Sequence, residues 1–320
     1  PVVISYDLAL DQSMYNVPKK ILNDLENEFK VILDPVNCPN TKKFNRNTEI
    51  YWGNRIEEEM IDLMPNLKWV HFGSVGINRL NKCTKSDLII TSSKGLVTQP
   101  MITHIISLIG IFSRRLDLFF KKHEHPLTRN DYDKVFQSLK NFNELKILIL
   151  GLGDIASSLI EKLYYLGCKI DSVSRSKKNN KFVKNQFLFS DCFEKLHEYD
   201  FVISLLPENK ETINLIDFNF LKRLNKNSIF MNVGRGTTLV ENDLLCALNK
   251  EFFRMAILDV TEYEPLPKDS LVYKHPKIFF TPHIASFSPT YWQLQKDLFT
   301  HNLKSYISRN YDSMKNIETI

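Results

Sequence analysis

The sequence predicts an α/β protein of two domains, each built on a doubly wound parallel sheet, with a cleft between them. Three observations favour this fold. Short strand-like apolar runs alternate with helix-like stretches along the chain, which is typical of parallel sheets covered by helices. The length of 320 residues suits about two domains. A glycine-containing turn also joins one strand-like run to a helix-like stretch, as in dinucleotide-binding folds.

The first block of the chain is predicted to be a small α/β domain. Pro18 suits the first turn of a helix, because the amide hydrogen it lacks would have no partner there. A last helix, at about residues 290–308, is predicted to cross back to this block, so the domain comprises residues 1–96 plus 287–320. Its predicted strands and helices are Val2–Ser5, Pro18–Phe29, Val31–Leu33, Glu49–Trp52, Arg55–Leu63 and Trp69–Phe72.

A long helix is predicted at about residues 98–122. Its length would let it join two lobes or form an oligomer face. Its apolar side chains recur at helical spacing: Met101, Ile105, Leu108, Ile109, Phe112 and Leu116.

The second domain is predicted to comprise residues 97–286 and to carry six strands. A helix through Leu166 follows the first strand, and another is predicted at Glu241–Asn249. The strands are Leu145–Leu150, Cys168–Val173, Phe201–Leu205, Ser228–Asn232, Met255–Leu258 and Ile278–Phe280.

Composition and charge exclude several classes of protein. A net charge of +5, from interspersed residues, is too small for the footprint of a nucleic-acid binder. Five cysteines are spread widely with no CxxC pair, so we expect no metal site, no disulfide framework and a reducing compartment. The longest apolar run, Met101–Phe112, is too short to cross a bilayer. No secretory signal is visible. A soluble, cytoplasmic protein with no membrane partner is therefore expected.

The segment Gly151-x-Gly153-x-x-Ala156 predicts a dinucleotide site. Gly151 permits a tight turn, Gly153 lets a pyrophosphate approach the backbone, and the helix that begins near Asp154 and Ile155 offers unpaired N–H groups. Such a turn can also form without a ligand. The flanking strand and helix favour the dinucleotide interpretation.

The tip of the next predicted strand favours NADPH over NADH. An NAD site would place a carboxylate there to bind the ribose hydroxyls. The tip instead reads Ser174-Arg175-Ser176-Lys177, and an arginine can stack on adenine and bind a 2′-phosphate. Asp171 is the competing carboxylate, but it lies before the tip. A solvated basic loop is the alternative interpretation.

Three further motifs follow predicted strands and supply candidate catalytic side chains. Arg235 stands between Gly234 and Gly236, which we expect to keep space clear for a small substrate. Glu264 precedes a proline and His283 follows one. A carboxylate beside an imidazole raises the histidine pKa, which would make His283 a proton donor near neutral pH.

Together these segments resemble the D-isomer-specific 2-hydroxyacid dehydrogenase family. Within it, the SRSKK segment after the second strand is most similar to the NADPH-linked glyoxylate/hydroxypyruvate reductase branch. The resemblance covers nearly the whole chain and implies two Rossmann-like domains. The matching segments are WVHFGSVGINRL at 69–80, SSKG at 92–95, GLGDIA at 151–156, LLPENKET at 205–212, NVGRG at 232–236, LDVTEYEPLP at 258–267 and TPHIA at 281–285.

The resemblance also implies residue roles. Arg235 would bind the substrate carboxylate and polarise the keto oxygen, His283 would be the general acid, and Glu264 would keep it protonated. The backbone around Ser74, Val75 and Gly76 would bind the carboxylate. Trp52 is a candidate pocket wall and equally a candidate core aromatic. The implied cofactor residues are Gly151, Gly153, Asp154, Ile155, Ser174, Arg175, Ser176, Lys177, Leu206, Pro207, Val233, Gly234, Asp259, His283 and Ala285.

The resemblance thus implies reduction of a small 2-oxoacid to the D-2-hydroxyacid with NADPH, NADH being possible, in a symmetric homodimer. Two alternatives stay open. One is an NAD-linked dehydrogenase of the D-lactate or phosphoglycerate type, and the other is a non-catalytic dinucleotide-sensing scaffold. A formate dehydrogenase is disfavoured, since that branch pairs its histidine with glutamine and this chain has Glu264.

Overall fold

The computed structural model describes residues 1–7, 17–36, 44–54, 56–75, 80, 87–119, 128–176 and 179–318. The chain divides into two compact units, Pro1–Val97 with Ser288–Ile320 and Thr98–Phe287. Each unit is built on a parallel sheet with helices. The predicted α/β class is therefore confirmed. The assignment of one domain to substrate and the other to dinucleotide stays a prediction.

The first unit contains a five-stranded parallel sheet. The strand order is β2-β1-β3-β4-β5. The rings of Trp52 and Trp69 both stack on Phe299, which fixes the last helix against this sheet. Its elements are β1 (Val3–Tyr6), α1 (Lys19–Phe29), β2 (Ile32–Pro35), β3 (Thr48–Gly53), α2 (Glu58–Ile61), β4 (Trp69–Phe72), β5 (Ile89–Thr91) and α9 (Tyr291–Ile307).

Two sequence predictions for this unit need correction. The predicted helix Arg55–Leu63 shrinks to α2, and Arg55 lies outside the described residues. After α2 the backbone forms turns, with hydrogen bonds between residues three apart, instead of a longer helix. The reason is that Pro65 disfavours helical backbone at the residue before it. The strand β5 was not predicted, since it is only three residues long and ends on the polar Thr91.

The second unit contains a seven-stranded parallel sheet of order β12-β11-β10-β9-β6-β7-β8. From β6, the strands β7 and β8 extend the sheet toward one edge. The chain then crosses back, and β9 to β12 extend the sheet from the other side of β6. The carboxyl ends of β6 and β9 therefore flank the point where ligands bind in open α/β sheets. The strands are β6 (Lys146–Leu150), β7 (Lys169–Val173), β8 (Asn185–Phe187), β9 (Phe201–Ser204), β10 (Ile229–Asn232), β11 (Met255–Leu258) and β12 (Ile278–Phe280).

Both faces of this sheet are buried. Along β6, Leu148 and Leu150 contact the core on one face, whereas Ile147 and Ile149 contact the core on the other. A near-continuous apolar run is what a parallel strand buried on both faces requires. The helices of the unit are α3 (Thr98–Ser113), α4 (Arg129–Ser138), α5 (Asp154–Tyr165), α6 (Phe218–Leu221), α7 (Glu241–Asn249) and α8 (Leu271–Lys274).

The second unit differs from the sequence prediction in three elements. The sheet has a seventh strand, β8, which was missed because it is a three-residue edge strand with one large apolar side chain. The long helix ends at Ser113 rather than near 122. Arg115 adopts a left-handed φ of 56°, and a short 3-10 turn follows at Leu116–Phe119. The polar helix α4 was also missed.

Among the described residues, no helix is both long and apolar enough to cross a membrane. The cytoplasmic location expected from the sequence stays a prediction.

Candidate active site

The predicted site residues of the second unit gather at one edge of its sheet. Parallel strands direct their carboxyl ends to the same edge of the sheet, and loops that carry predicted site residues follow five of the strands here. These loops begin at Gly151 after β6, Leu205 after β9, Val233 after β10, Asp259 after β11 and Thr281 after β12.

The turn after β6 has the form that a bound pyrophosphate needs. Gly151 has a φ of 99°, and its N–H donates to the carbonyl of Val173 at 2.8 Å. A Cβ on Gly153 would meet no atom within 4 Å, so the space beside this residue is open. Gly153, the N-cap residue of α5, has no side chain to cap the helix. An anion could therefore approach the backbone at the beginning of this helix.

The end of β7 carries the predicted phosphate-binding side chains. Arg175 is about four-fifths exposed, and its Nη1 lies 3.2 Å from Oε2 of Glu211. The hydroxyl of Ser174 donates to the carbonyl of Ser176 at 2.7 Å. Lys177 lies outside the described residues.

Asp171 is engaged inside the sheet. Its carboxylate accepts hydrogen bonds from the Tyr199 hydroxyl at 2.8 Å and from the backbone N–H of Asn185 at 2.9 Å. It is therefore part of the packing between β7, β8 and Tyr199, and it lies two residues before the end of β7.

The turn that presents Arg235 is held by Asn232, the last residue of β10. The amide group of Asn232 accepts from the N–H of Gly234 at 3.2 Å and donates to the carbonyl of Arg235 at 3.1 Å. Arg235 itself is exposed, and its Nη1 donates to the carbonyl of Gly234 at 2.8 Å.

The two glycines beside Arg235 make close backbone contacts, which corrects the expectation that they clear space for a substrate. A Cβ on Gly234 would lie 2.6 Å from the carbonyl oxygen of Leu206, and one on Gly236 would overlap the carbonyl of Thr261. The segments after β9 and β11 therefore pack directly against this turn.

We expect Gly236→Ala to lower the free energy of unfolding by about 1–3 kcal/mol, because the new methyl group would force Thr261 away from the turn. Gly153→Ala is the matched control. Its methyl group meets no atom, so its stability should equal that of the wild type. Chemical denaturation of both variants tests this, and equal stability of the two would contradict the packing argument.

Glu264 and His283 form the hydrogen-bonded pair that the sequence predicts. Nδ1 of His283 lies 2.7 Å from Oε2 of Glu264. The other carboxylate oxygen, Oε1, accepts from the N–H of Thr261 at 3.2 Å, which orients the carboxylate. This arrangement leaves Nε2 as the imidazole nitrogen that Glu264 does not use.

The pair shifts both pKa values toward the charged forms. The hydrogen bond to Glu264 raises the pKa of His283 above its ordinary value, while burial acts in the opposite direction. Burial acts to raise the pKa of Glu264, but the hydrogen bond and charge of His283 outweigh it and lower that pKa. The imidazolium–carboxylate form is therefore favoured over a wider pH range than for either group alone.

Asp259 lies beneath this pair and is buried. Its carboxylate accepts hydrogen bonds from the N–H groups of Ile284 and Ala285 and from the hydroxyl of Thr281. His104 of α3 lies nearby, with Nε2 3.8 Å from Oδ1 of Asp259. Sequence reasoning missed Thr281 and His104, although each interrupts or ends an apolar stretch.

The remaining cofactor candidates border the same edge of the sheet. Leu206, Val233 and Ala285 are buried, whereas Pro207 is exposed and its carbonyl accepts from the Thr212 hydroxyl at 2.6 Å. In the first turn of α5, Asp154 is exposed and Ile155 is half-buried.

The first unit holds the predicted substrate residues. Trp52 is fully buried and stacks on Phe299 at 4.2 Å between ring centroids, so it is a core aromatic in this unit. Ser74 and Val75 follow β4 and are half-buried, and Gly76 lies outside the described residues. The carbonyl of Gly73 accepts from Gln295 of α9, which anchors the start of this turn.

Comparison with known protein families shows which family the chain belongs to. Residues 113–285 match the family model described as the NAD binding domain of the D-isomer specific 2-hydroxyacid dehydrogenases. The match covers more than half of the chain. The chain belongs to the D-isomer specific 2-hydroxyacid dehydrogenase family. The resemblance inferred from the sequence motifs is therefore confirmed.

Curated relatives of this dehydrogenase chain include two reductases. It is 36% identical over 143 residues to glyoxylate/hydroxypyruvate reductase A of Escherichia fergusonii. This alignment covers 45% of this chain and 46% of the relative. It is 28% identical over 256 residues to the glyoxylate reductase of Thermofilum pendens, covering 78% of this chain and 74% of the relative. The chain thus matches only about half the length of the first relative.

A solved structure extends the likeness to the whole dehydrogenase fold. The NADPH-dependent glyoxylate/hydroxypyruvate reductase of Sinorhizobium meliloti, solved with NADP and sulfate, has a TM-score of 0.79 and 21% identity. The alignment covers 99% of this chain and 98% of that one. At this identity the likeness is one of fold.

Proposed function

We propose that the chain is an NADPH-dependent reductase that converts a small 2-oxoacid, of the glyoxylate or hydroxypyruvate kind, to the D-2-hydroxyacid. The observation that carries this proposal is the 2.7 Å pair of His283 and Glu264, with the charge of Arg235 close enough to affect both pKa values. Such a pair can protonate the oxygen of a ketone at neutral pH, and the arginine can hold the adjacent carboxylate.

The residues at the glycine turn fit the cofactor. The open space at Gly153 and the backbone at the start of α5 would accept its pyrophosphate. When bound, the nicotinamide supplies a hydride to the carbonyl carbon of the substrate.

In this mechanism His283 donates a proton from Nε2 to the oxygen that becomes the hydroxyl. Glu264 orients the imidazole through Nδ1 and keeps it charged until the transfer. Arg235 binds the substrate carboxylate and stabilises the negative charge that develops on the oxygen. The turn of Ser74, Val75 and Gly76 stays a predicted second contact for the carboxylate.

The choice of cofactor rests on the end of β7. Arg175 is exposed beside Ser174 and Ser176, whereas Asp171 is engaged by Tyr199. A positive charge without a free carboxylate suits the 2′-phosphate of NADPH. Glu211, which pairs with Arg175 at 3.2 Å, would compete with that phosphate for the guanidinium.

We expect Arg175→Ala to raise the KM for NADPH about tenfold, because an exposed charge-assisted hydrogen bond to phosphate is lost. The KM for NADH should stay nearly constant. Glu211→Gln is the matched variant, since it removes the competitor and should lower the KM for NADPH. Steady-state kinetics with both cofactors test this. An unchanged ratio of the two KM values in Arg175→Ala would contradict the phosphate assignment.

The pH dependence of reduction tests the role of Glu264. Reduction needs the protonated imidazole, so the rate falls as pH rises through the pKa of His283, which Glu264 raises. Asp259 also raises this pKa and Arg235 lowers it. In Glu264→Gln the fall should begin at lower pH, because the amide keeps a hydrogen bond but loses the charge. A pH profile that does not move would remove Glu264 from this role.

The proposed activity is tested by following NADPH oxidation with glyoxylate, hydroxypyruvate, pyruvate and bulkier 2-oxoacids, and by repeating each reaction with NADH. We expect turnover with the smaller acids and a preference for NADPH. A preference for NADH would instead favour a dehydrogenase of the D-lactate or phosphoglycerate type. Absence of turnover with every acid would favour a non-catalytic dinucleotide-binding protein.

We also infer a symmetric homodimer. Among the described residues from the end of α3 to the end of α4, five large apolar side chains are exposed: Leu116, Leu118, Phe119, Tyr132 and Phe136, the last to 78%. A large exposed apolar surface often marks an interface, and most oligomers are symmetric. Light scattering coupled to gel filtration checks this, and a monomeric mass would contradict it.

A further inference from the structure

His283 is held in a backbone conformation that a histidine rarely adopts. Its φ is 53°, in the left-handed region, where the Cβ of an L-residue is crowded. Its N–H donates to the carbonyl of Asp259 at 2.8 Å and to that of Thr281 at 2.9 Å. The conformation aims the imidazole at Glu264, so whatever maintains it also maintains the His283–Glu264 pair.

The side chain of Asp259 binds the segment on both sides of His283. Its Oδ1 accepts from the N–H of Ile284 at 3.0 Å and from the Thr281 hydroxyl at 2.5 Å, and its Oδ2 accepts from the N–H of Ala285 at 3.1 Å. A buried carboxylate is stable only when such donors surround it. Both oxygens are therefore engaged in holding the turn.

The Thr281 hydroxyl completes this set. A hydroxyl has one hydrogen, and the 2.5 Å distance gives it to the carboxylate of Asp259. The oxygen can then accept from Nε2 of His104, 3.5 Å away on α3. Burial lowers the pKa of His104, while the charge of Asp259 opposes this shift. Burial therefore disfavours the charged form of His104 beside Asp259.

We propose that the Thr281 hydroxyl and the Asp259 carboxylate are positioning groups. They hold the left-handed turn at His283 and so keep its imidazole hydrogen-bonded to Glu264. This role differs from the cofactor contact that the family resemblance implies for Asp259. As far as it concerns turnover, the proposal rests on the proposed reductase function. The position of the imidazole itself does not depend on that function.

The test compares Thr281→Val with Thr281→Ser. Valine keeps the shape of threonine but removes the hydroxyl, whereas serine keeps the hydroxyl and removes the methyl group. The first readout is the pKa of His283, measured by NMR in protein with isotope-labelled histidine, with His283→Gln used to assign the signal. The second is the pH profile of kcat, together with the KM for NADPH.

In Thr281→Val we expect the pKa of His283 to fall toward about 6.5, the value of a histidine without such a partner. The kcat should fall about tenfold or more, as for a general acid that is no longer oriented, and the KM for NADPH should stay constant. Thr281→Ser should keep the wild-type pKa and most of the kcat.

Three results would overturn the proposal. One is a wild-type pKa of His283 in Thr281→Val. Another is a serine variant that behaves like the valine variant, because the methyl group would then be the important part. The third is a loss of kcat that follows thermal stability while the pKa stays constant. If the wild type reduces no 2-oxoacid but the pKa still falls in Thr281→Val, the positioning role is supported and only the proposed reductase function fails.

Discussion

Replacing His283 with alanine should lower kcat for the reduction of a 2-oxoacid by about a thousandfold, the usual contribution of a positioned general acid. The substrate oxygen would then take its proton from water. The Kd for NADPH should change far less than kcat, because the glycine turn and the end of β7, which are proposed to hold its phosphates, do not involve this side chain. Rapid-mixing kinetics and fluorescence titration measure the two quantities separately.

His283→Gln serves as the control for packing, since it fills a similar volume without a titratable proton. It should be as inactive as the alanine variant and as stable as the wild type. A variant that keeps substantial turnover, or that loses NADPH affinity to the same degree as kcat, would contradict the assigned role.

Replacing Arg235 with leucine should lower kcat/KM by about 100- to 1000-fold, because in the proposed mechanism the guanidinium both binds the carboxylate and stabilises the developing oxyanion. Arg235 is well suited to binding substrate, since it is exposed and, within the described part of the chain, its guanidinium donates to the neighbouring carbonyl of Gly234. The Kd for NADPH should again change far less. The loss should appear in both kcat and KM, because one side chain serves binding and chemistry.

Arg235→Lys is the informative companion. Lysine keeps the charge but cannot make two parallel hydrogen bonds to a carboxylate, so it should recover only part of the loss. Oxamate, an unreactive analogue of a 2-oxoacid, should bind the lysine variant weakly and the leucine variant hardly at all. Wild-type oxamate affinity in the leucine variant would place the carboxylate elsewhere.

The sequence was sufficient for most of the sheets because their strands are apolar runs of four or more residues. It also found β12, whose three residues are all large and apolar, but it failed for β5 and β8, which are equally short and contain polar residues. It also extended α3 too far, because Leu116 continues the apolar spacing although Arg115 turns the backbone into the left-handed region.

In the candidate site, too, some contacts could be predicted from the sequence and others could not. The pairing of His283 with Glu264 was predictable, since both follow strands whose carboxyl ends share an edge. The contact of Gly236 with the carbonyl of Thr261 and the hydrogen bonds of Asp259 to the turn at 281–285 were not. They depend on how closely separate loops approach, which residue spacing does not encode.

The proposed reaction transfers a hydride from nicotinamide to the carbonyl carbon of a 2-oxoacid. It is tested most directly by incubating the protein with NADPH that carries deuterium at the transferable C4 position and with hydroxypyruvate. Mass spectrometry and NMR of the product would locate the label. We expect D-glycerate with one deuterium at carbon 2. Product without the label at that carbon, or no glycerate at all, would contradict it.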